Sequence, residues 1–180
     1  MAAVLFSQYS NYSLRELINK LDKDYYQVLN SLCENASLHA NTMQEEGYST
    51  TSLYVSMAIK LLQQIKDLLT IRTAVIFPYV NELNEKVREG HDCRNCSGNC
   101  HAGHNMHLTS LKGTHKNIKE ILFRLQMVAS PLYANNDYPA SYKILRNEVT
   151  IIDTILTELF YLEESALIPK VMEAQKQMHA

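Results

Sequence analysis

The chain has 180 residues, 46% of them hydrophobic and 20% charged, with 17 Lys and Arg against 19 Asp and Glu. One core at this length buries roughly 70% of the unfolded chain's surface, so folding requires neither a disulfide nor a structural metal. Interspersed, nearly balanced charges offer no basic stripe for a phosphate backbone, which argues against nucleic acid as a partner. No apolar run approaches the roughly 20 residues that span a bilayer, and Met1 to Phe6 lack a signal-peptide pattern, so the expectation is a cytoplasmic protein without a membrane partner.

Only 5 Gly and 4 Pro occur, and apolar residues recur at three- and four-residue spacing, which predicts one all-α domain over 1–180. Ser13 to Glu16 reads as a capping box that opens a first helix. That helix turns Leu14, Leu17, Ile18, Leu21, Tyr25, Val28, Leu29 and Leu32 inward and ends at Gly47. A second helix opens at the run from Ser49 to Ser52 and carries Leu53, Val55, Ile59, Leu62, Ile65, Leu69 and Val75 inward towards Gly90. Pro78 should bend it or tighten one turn. A loop over 89–103 separates it from a third helix over about 105–129, which Ser130 and Pro131 stop. After the turn-rich segment 133–139, a fourth helix runs to about Gln175, inward through Ile144, Val149, Ile152, Leu156, Leu159, Leu162 and Leu167. Four long helices with short connections predict an up-down-up-down four-helix bundle.

The Cys/His-rich stretch at 89–107 is the strongest chemical signal. Cys93, Cys96, Cys100, His101, His104 and His107 fall within fifteen residues, and His91 flanks them. Thiolate and imidazole are the donors zinc prefers, and a C-x2-C pair lets one turn present two sulfurs to one ion. Cys93, Cys96 and Cys100 with His101 or His104 could close a tetrahedral site, although the spacing matches no common zinc finger. A thiol–disulfide switch between Cys93 and Cys96 or Cys100, or a polar loop without function, are the alternatives.

Elsewhere Cys33 reads as a small buried hydrophobe and His39 as an ordinary helical histidine. His115 lies between apolar neighbours one turn away on either side, so its ring should point inward and require a partner. No Ser-His-Asp order, nucleophile elbow, phosphate-cradling loop or H-E-x-x-H motif is present, so no catalytic activity is expected.

The segments Thr73 to Val80 and Leu162 to Val171 each end in an apolar-apolar-Pro step. Together with Thr114-His115 and Pro139-Ala140-Ser141-Tyr142 they resemble the hemerythrin-like proteins, in particular the di-iron family that repairs damaged iron–sulfur centres. The resemblance implies a bundle whose interior once held iron. Carried over position by position, the third-helix histidine is His115 and the fourth-helix glutamate is Glu163. Leu159, Leu68 and Arg72 stand where the family has metal ligands, and the first-helix ligands fall near Asp22 and Met43, with His39 one turn from the latter.

A leucine cannot bind iron and an arginine repels a cation. The resemblance therefore implies a degenerate core site of Asp22, Arg72, His115 and Glu163. In it Arg72 replaces the metal in a buried pair with Glu163, Asp22 and His115 supply further hydrogen bonds, and Leu68 and Leu159 close the space. The alternative is an Arg72 that extends to solvent. The leading expectation is a non-enzymatic bundle that binds zinc through its Cys/His stretch and serves in metal, redox or nitrosative stress sensing. One alternative is an iron-handling or cluster-repair protein that holds iron through His115, Glu163, Asp22 and His39; the other is a bundle that binds only a protein partner.

Overall fold

The computed structural model describes residues 9, 11–47, 49–91, 100–129 and 138–178, with backbone alone over 100–108 and 110–112. Seven α-helical segments form four long helices: α1 (Leu14–Leu21) and α2 (Gln27–Glu46), α3 (Ser52–Ile71) and α4 (Phe77–Arg88), α5 (Cys100–Ala129), then α6 (Ala140–Leu162) and α7 (Ile168–Gln177). The capping box is formed: Glu16 N–H donates to Ser13 Oγ, and the Glu16 carboxylate accepts from Ser13 N–H at 2.8 Å. At the other end Gly47 takes φ of 70°, a left-handed cap that costs a side-chain-bearing residue strain, and its N–H reaches Met43 O.

Each paired segment is one helix interrupted by a single π turn, at Asp22–Tyr26, Arg72–Ile76 and Glu163–Leu167. Two of these turns have a readable cause. Pro78 and Pro169 have no N–H and their rings crowd the carbonyl four residues back, so the chain widens one turn before each proline. The N–H of Phe77 then bonds to Arg72 O, and that of Ile168 to Glu163 O, five residues back in both cases. The sequence-based expectation at Pro78, a bend or a tightened turn, is therefore corrected to a widened one.

α2 packs on α3 and α6, α3 on α5, α1 on α4, and α4 on α7. The third helix runs beside the fourth, where Gln126 Nε2 donates to Asp153 Oδ2 at 2.9 Å. This is the expected up-down-up-down bundle. Its core contains Leu17, Leu29, Ile65, Leu145, Ile152 and Leu156, all fully buried, and each such side chain contributes about 1.5 to 3 kcal/mol of burial free energy. Among the described residues no helix is long and apolar enough to cross a membrane.

Several expected core positions are exposed instead. A π turn holds one extra residue and rotates everything after it, so beyond Tyr26 the inward stripe becomes Leu29, Cys33, Ala36, Ala40 and Met43, and Val28 turns outward. Val75 lies within a π turn and is exposed for the same reason. Leu53 and Ile144 sit one position off stripes that pass through Tyr54 and Leu145. The Cys/His loop is also shorter than expected, because α5 begins at Cys100 and takes in His101, His104 and His107. A helix already nucleated further along propagates cheaply through Ala102 and Met106, and Gly103 costs only about 1 kcal/mol.

Replacing Ser13 with alanine removes a cap whose partners are formed, and should lower stability by about 1 kcal/mol. Urea unfolding of the Ser13→Ala variant measures it.

Candidate functional site

The three π turns meet at one level of the bundle, and each delivers one polar side chain to the interior. Tyr26 closes the first turn, Arg72 opens the second and Glu163 opens the third. The uninterrupted α5 adds His115. Arg72 and Glu163 are fully buried and Tyr26 and His115 nearly so. Isolated charges at such a place would cost several kcal/mol each. They are not isolated.

Arg72 meets Glu163 with a forked pair of bonds, Nε to Oε1 at 2.9 Å and Nη2 to Oε2 at 3.2 Å. Tyr26 Oη donates to Glu163 Oε1. His115 Nε2 contacts Glu163 Oε2 and lies 3.4 Å from Arg72 Nη2, while its Nδ1 lies 3.0 Å from Glu164 Oε1. A carboxylate only accepts, so both contacts of the ring are satisfied when both of its nitrogens carry hydrogen. Phe160 stacks on the imidazole, with centroids 4.1 Å apart. At the outer edge Lys119 Nζ reaches the half-exposed Glu164 at 3.2 Å.

Burial by itself would push the Glu163 carboxyl up, but the Arg72 charge and the hydrogen bonds from His115 and Arg72 outweigh it and hold it at about 2. Burial likewise works against the Arg72 charge, and Glu163 more than offsets this, so the guanidinium keeps its proton more firmly than in water. Burial, reinforced by the neighbouring negative charge of Glu163, pushes the Tyr26 phenol far up, so it stays a donor.

Of the four residues expected in the degenerate core site, the structure brings Arg72, His115 and Glu163 together. Asp22 is not among them. It stands half-buried on the outer wall and accepts from Gln27 Nε2 at 2.9 Å, because the π turn swings Tyr26 inward in its place. His39 is also remote, paired with Glu148 Oε2 at 2.9 Å and thirteen residues, or roughly 20 Å of helix, from Tyr26. Tyr26 and Glu164 are the members that sequence reasoning missed. Glu164 was readable as the neighbour of Glu163, whereas nothing in the sequence marked the first π turn.

Iron of the di-iron type does not fit these residues. Arg72 fills the interior with a fixed cation that has only hydrogens to offer, and Leu68 and Leu159 are fully buried apolar groups. Among the described residues no group of three or more His, Cys, Asp or Glu is placed to hold a metal ion. Cys93 and Cys96 lie outside the described residues, and Cys100, His101 and His104 are placed by their backbone in the first turns of α5. Cys33 is fully buried, and burial pushes its thiol up to about 12, which leaves it inert.

Fold and site together define an all-α bundle with a buried ion cluster at its centre. Comparison with protein-family models, curated proteins and solved structures finds no match to this chain.

Removing Arg72 alone should cost about 3 to 5 kcal/mol, because Glu163 is left buried and uncompensated, whereas replacing both partners with apolar groups is close to neutral. Denaturant unfolding of Arg72→Met, Glu163→Leu and the double variant reads this coupling, and additive losses would contradict it.

The same pair has a pH signature. The Glu163 carboxyl is lowered from 4.5 to about 2 on folding, so its contribution is complete above the unfolded value and is lost as pH falls towards 2. Urea midpoints between pH 5 and about 2 should therefore fall more steeply for the native chain than for the double variant.

Proposed function

We propose that this protein is a non-enzymatic, hemerythrin-like bundle that binds zinc through its Cys/His stretch and serves in metal, redox or nitrosative stress sensing. The observation that carries the reading is the filled interior. Where the resemblance implies iron, Arg72 is paired with Glu163 and His115 at the centre of the fold. The metal-binding capacity implied for such a bundle then rests on the donors outside the core: Cys93, Cys96, Cys100, His101 and His104. Four of those donors suffice for a tetrahedral zinc ion. Thiolates are also the groups that oxidants and nitric oxide modify.

A non-enzymatic role is supported by the state of the cluster. Every heteroatom of Glu163 and His115 faces a partner within the protein, so neither is positioned towards a substrate.

Zinc binding requires deprotonated sulfur, so bound zinc should be released as pH falls while the bundle, with its own core, stays folded. The measurement is zinc stoichiometry of the purified full chain by elemental analysis. About one zinc is expected, and much less in Cys93→Ser/Cys96→Ser. Unchanged stoichiometry in that variant removes the ligand set and the reading with it.

A further inference from the structure

The first and second helices part around a groove of about 650 Å3 beside the ion cluster. That volume falls within the roughly 300 to 1,000 Å3 of small-molecule sites. Tyr26 lines it and hydrogen-bonds Glu163 directly, so the groove touches the cluster at one residue. It follows the first helix from Asp22 to Glu34, twelve residues or about 18 Å. An elongated ligand matches that shape.

The hydrogen bonds within the walls define the ligand's chemistry. The hydroxyls of Ser31, Thr70 and Thr73 donate to the carbonyls of Gln27, Lys66 and Leu69 at 3.2, 2.9 and 2.9 Å. Their hydrogens point back into their own helices, and only lone pairs remain for the groove. Gln27 and Asn30 each direct one amide N–H, to Asp22 and Glu34 respectively, at 2.9 Å, and each keeps a carbonyl oxygen and a second N–H. Among the described residues lining the groove, Lys66 is the one cation, against the two carboxylates. It lies at the Glu34 end, where both residues act on the Cys33 thiol. The Asp22 end, next to Tyr26, is therefore the more negative, and the hydroxyls of Ser31, Thr70 and Thr73 between the ends are a row of acceptors.

We propose that this groove binds an extended aliphatic oligoamine, with a terminal ammonium at Asp22 beside Tyr26 and the remaining N–H groups along Thr73, Thr70 and Ser31. An anion would meet two carboxylates and few donors. A neutral polyol would satisfy some acceptors but not the charge. The site is independent of the zinc reading, since none of its residues belongs to the Cys/His stretch.

Spermidine is the probe, titrated into the full chain at low ionic strength and followed by calorimetry and by amide shifts. Saturable binding at one per chain is expected, with shifts confined to 22–34 and 66–73 and weaker affinity at higher salt. The uncharged isostere 1,8-octanediol should not bind. Asp22→Asn and Thr70→Lys, the latter placing a cation at an exposed groove position, should each weaken spermidine at least about tenfold, which corresponds to about 1.4 kcal/mol. Glu120→Gln, on the third helix and away from the groove, should change nothing, and Cys93→Ser/Cys96→Ser should bind spermidine as the native chain does. If Asp22→Asn does not fold, Thr70→Lys decides. No saturable binding at millimolar spermidine, binding unaffected by Thr70→Lys, or equal weakening by Glu120→Gln overturns the site.

Discussion

The ion pair between Arg72 and Glu163 constrains everything around it. Two charges fully removed from water are tolerated only when their geometry is good and their remaining hydrogens and lone pairs are met. Here the guanidinium fork supplies two bonds to the carboxylate, Tyr26 a third and His115 a fourth. Arginine suits the place because its charge does not titrate and its planar fork matches a carboxylate in a way an ammonium cannot. A lysine there would escape the cost of burial by losing its proton, and Glu163 would then lose its partner.

The cluster and the π turns depend on one another. Arg72 stands six residues before Pro78 and Glu163 six before Pro169, so each proline widens its helix at the turn that begins with a buried ionic residue. A wide turn has poorer backbone geometry than an α turn, and without compensation it would be a weak point in a long helix. The compensation is placed where the weakness is, since each π turn contributes at least one member of the same hydrogen-bonded cluster. The first helix reaches this arrangement without a proline. It rests on Tyr26, whose ring packs edge-on against Phe77 at 5.1 Å and whose hydroxyl meets Glu163.

What the sequence made legible divides along the same line. The helices, the capping box and the glycine ends follow from periodicity and local hydrogen bonding, which neighbouring residues determine, and these were readable. The pairing of Arg72 with Glu163 was readable only through the family resemblance, whose ligand positions, counted back from Pro78 and Pro169, set the two residues opposite one another. Val28 was misplaced because a π turn shifts the register of the residues after it by one, and in the first helix no proline announces it; Asp22 was placed by the family resemblance alone, with no proline in that helix to count from. The early start of α5 was obscured because histidine, asparagine and glycine read as a loop one at a time, whereas a helix extends through them once its apolar stripe has nucleated it. Cys93 and Cys96 belong to a different case, since their chemistry is legible in residue type and spacing while their placement lies outside the described residues.

An apolar bundle of this kind has a weakness that its central cluster removes. Leucines on parallel stripes can interlock in several registers, because a helix moved by one turn, 5.4 Å, presents a similar surface. The cluster takes one side chain from each long helix: Tyr26, Arg72, His115 and Glu163. A one-turn slip of any helix would separate at least one buried donor from its acceptor, and an unmet buried charge costs far more than a displaced methyl group. The four side chains therefore select one axial register among several that the leucines alone would allow. The chain of contacts also has two distinct ends. On one side Glu164 and Lys119 bring it to water; on the other Tyr26 brings it to the wall of the groove. Glu164 reaches Glu163 through His115 alone, and Tyr26 reaches it directly.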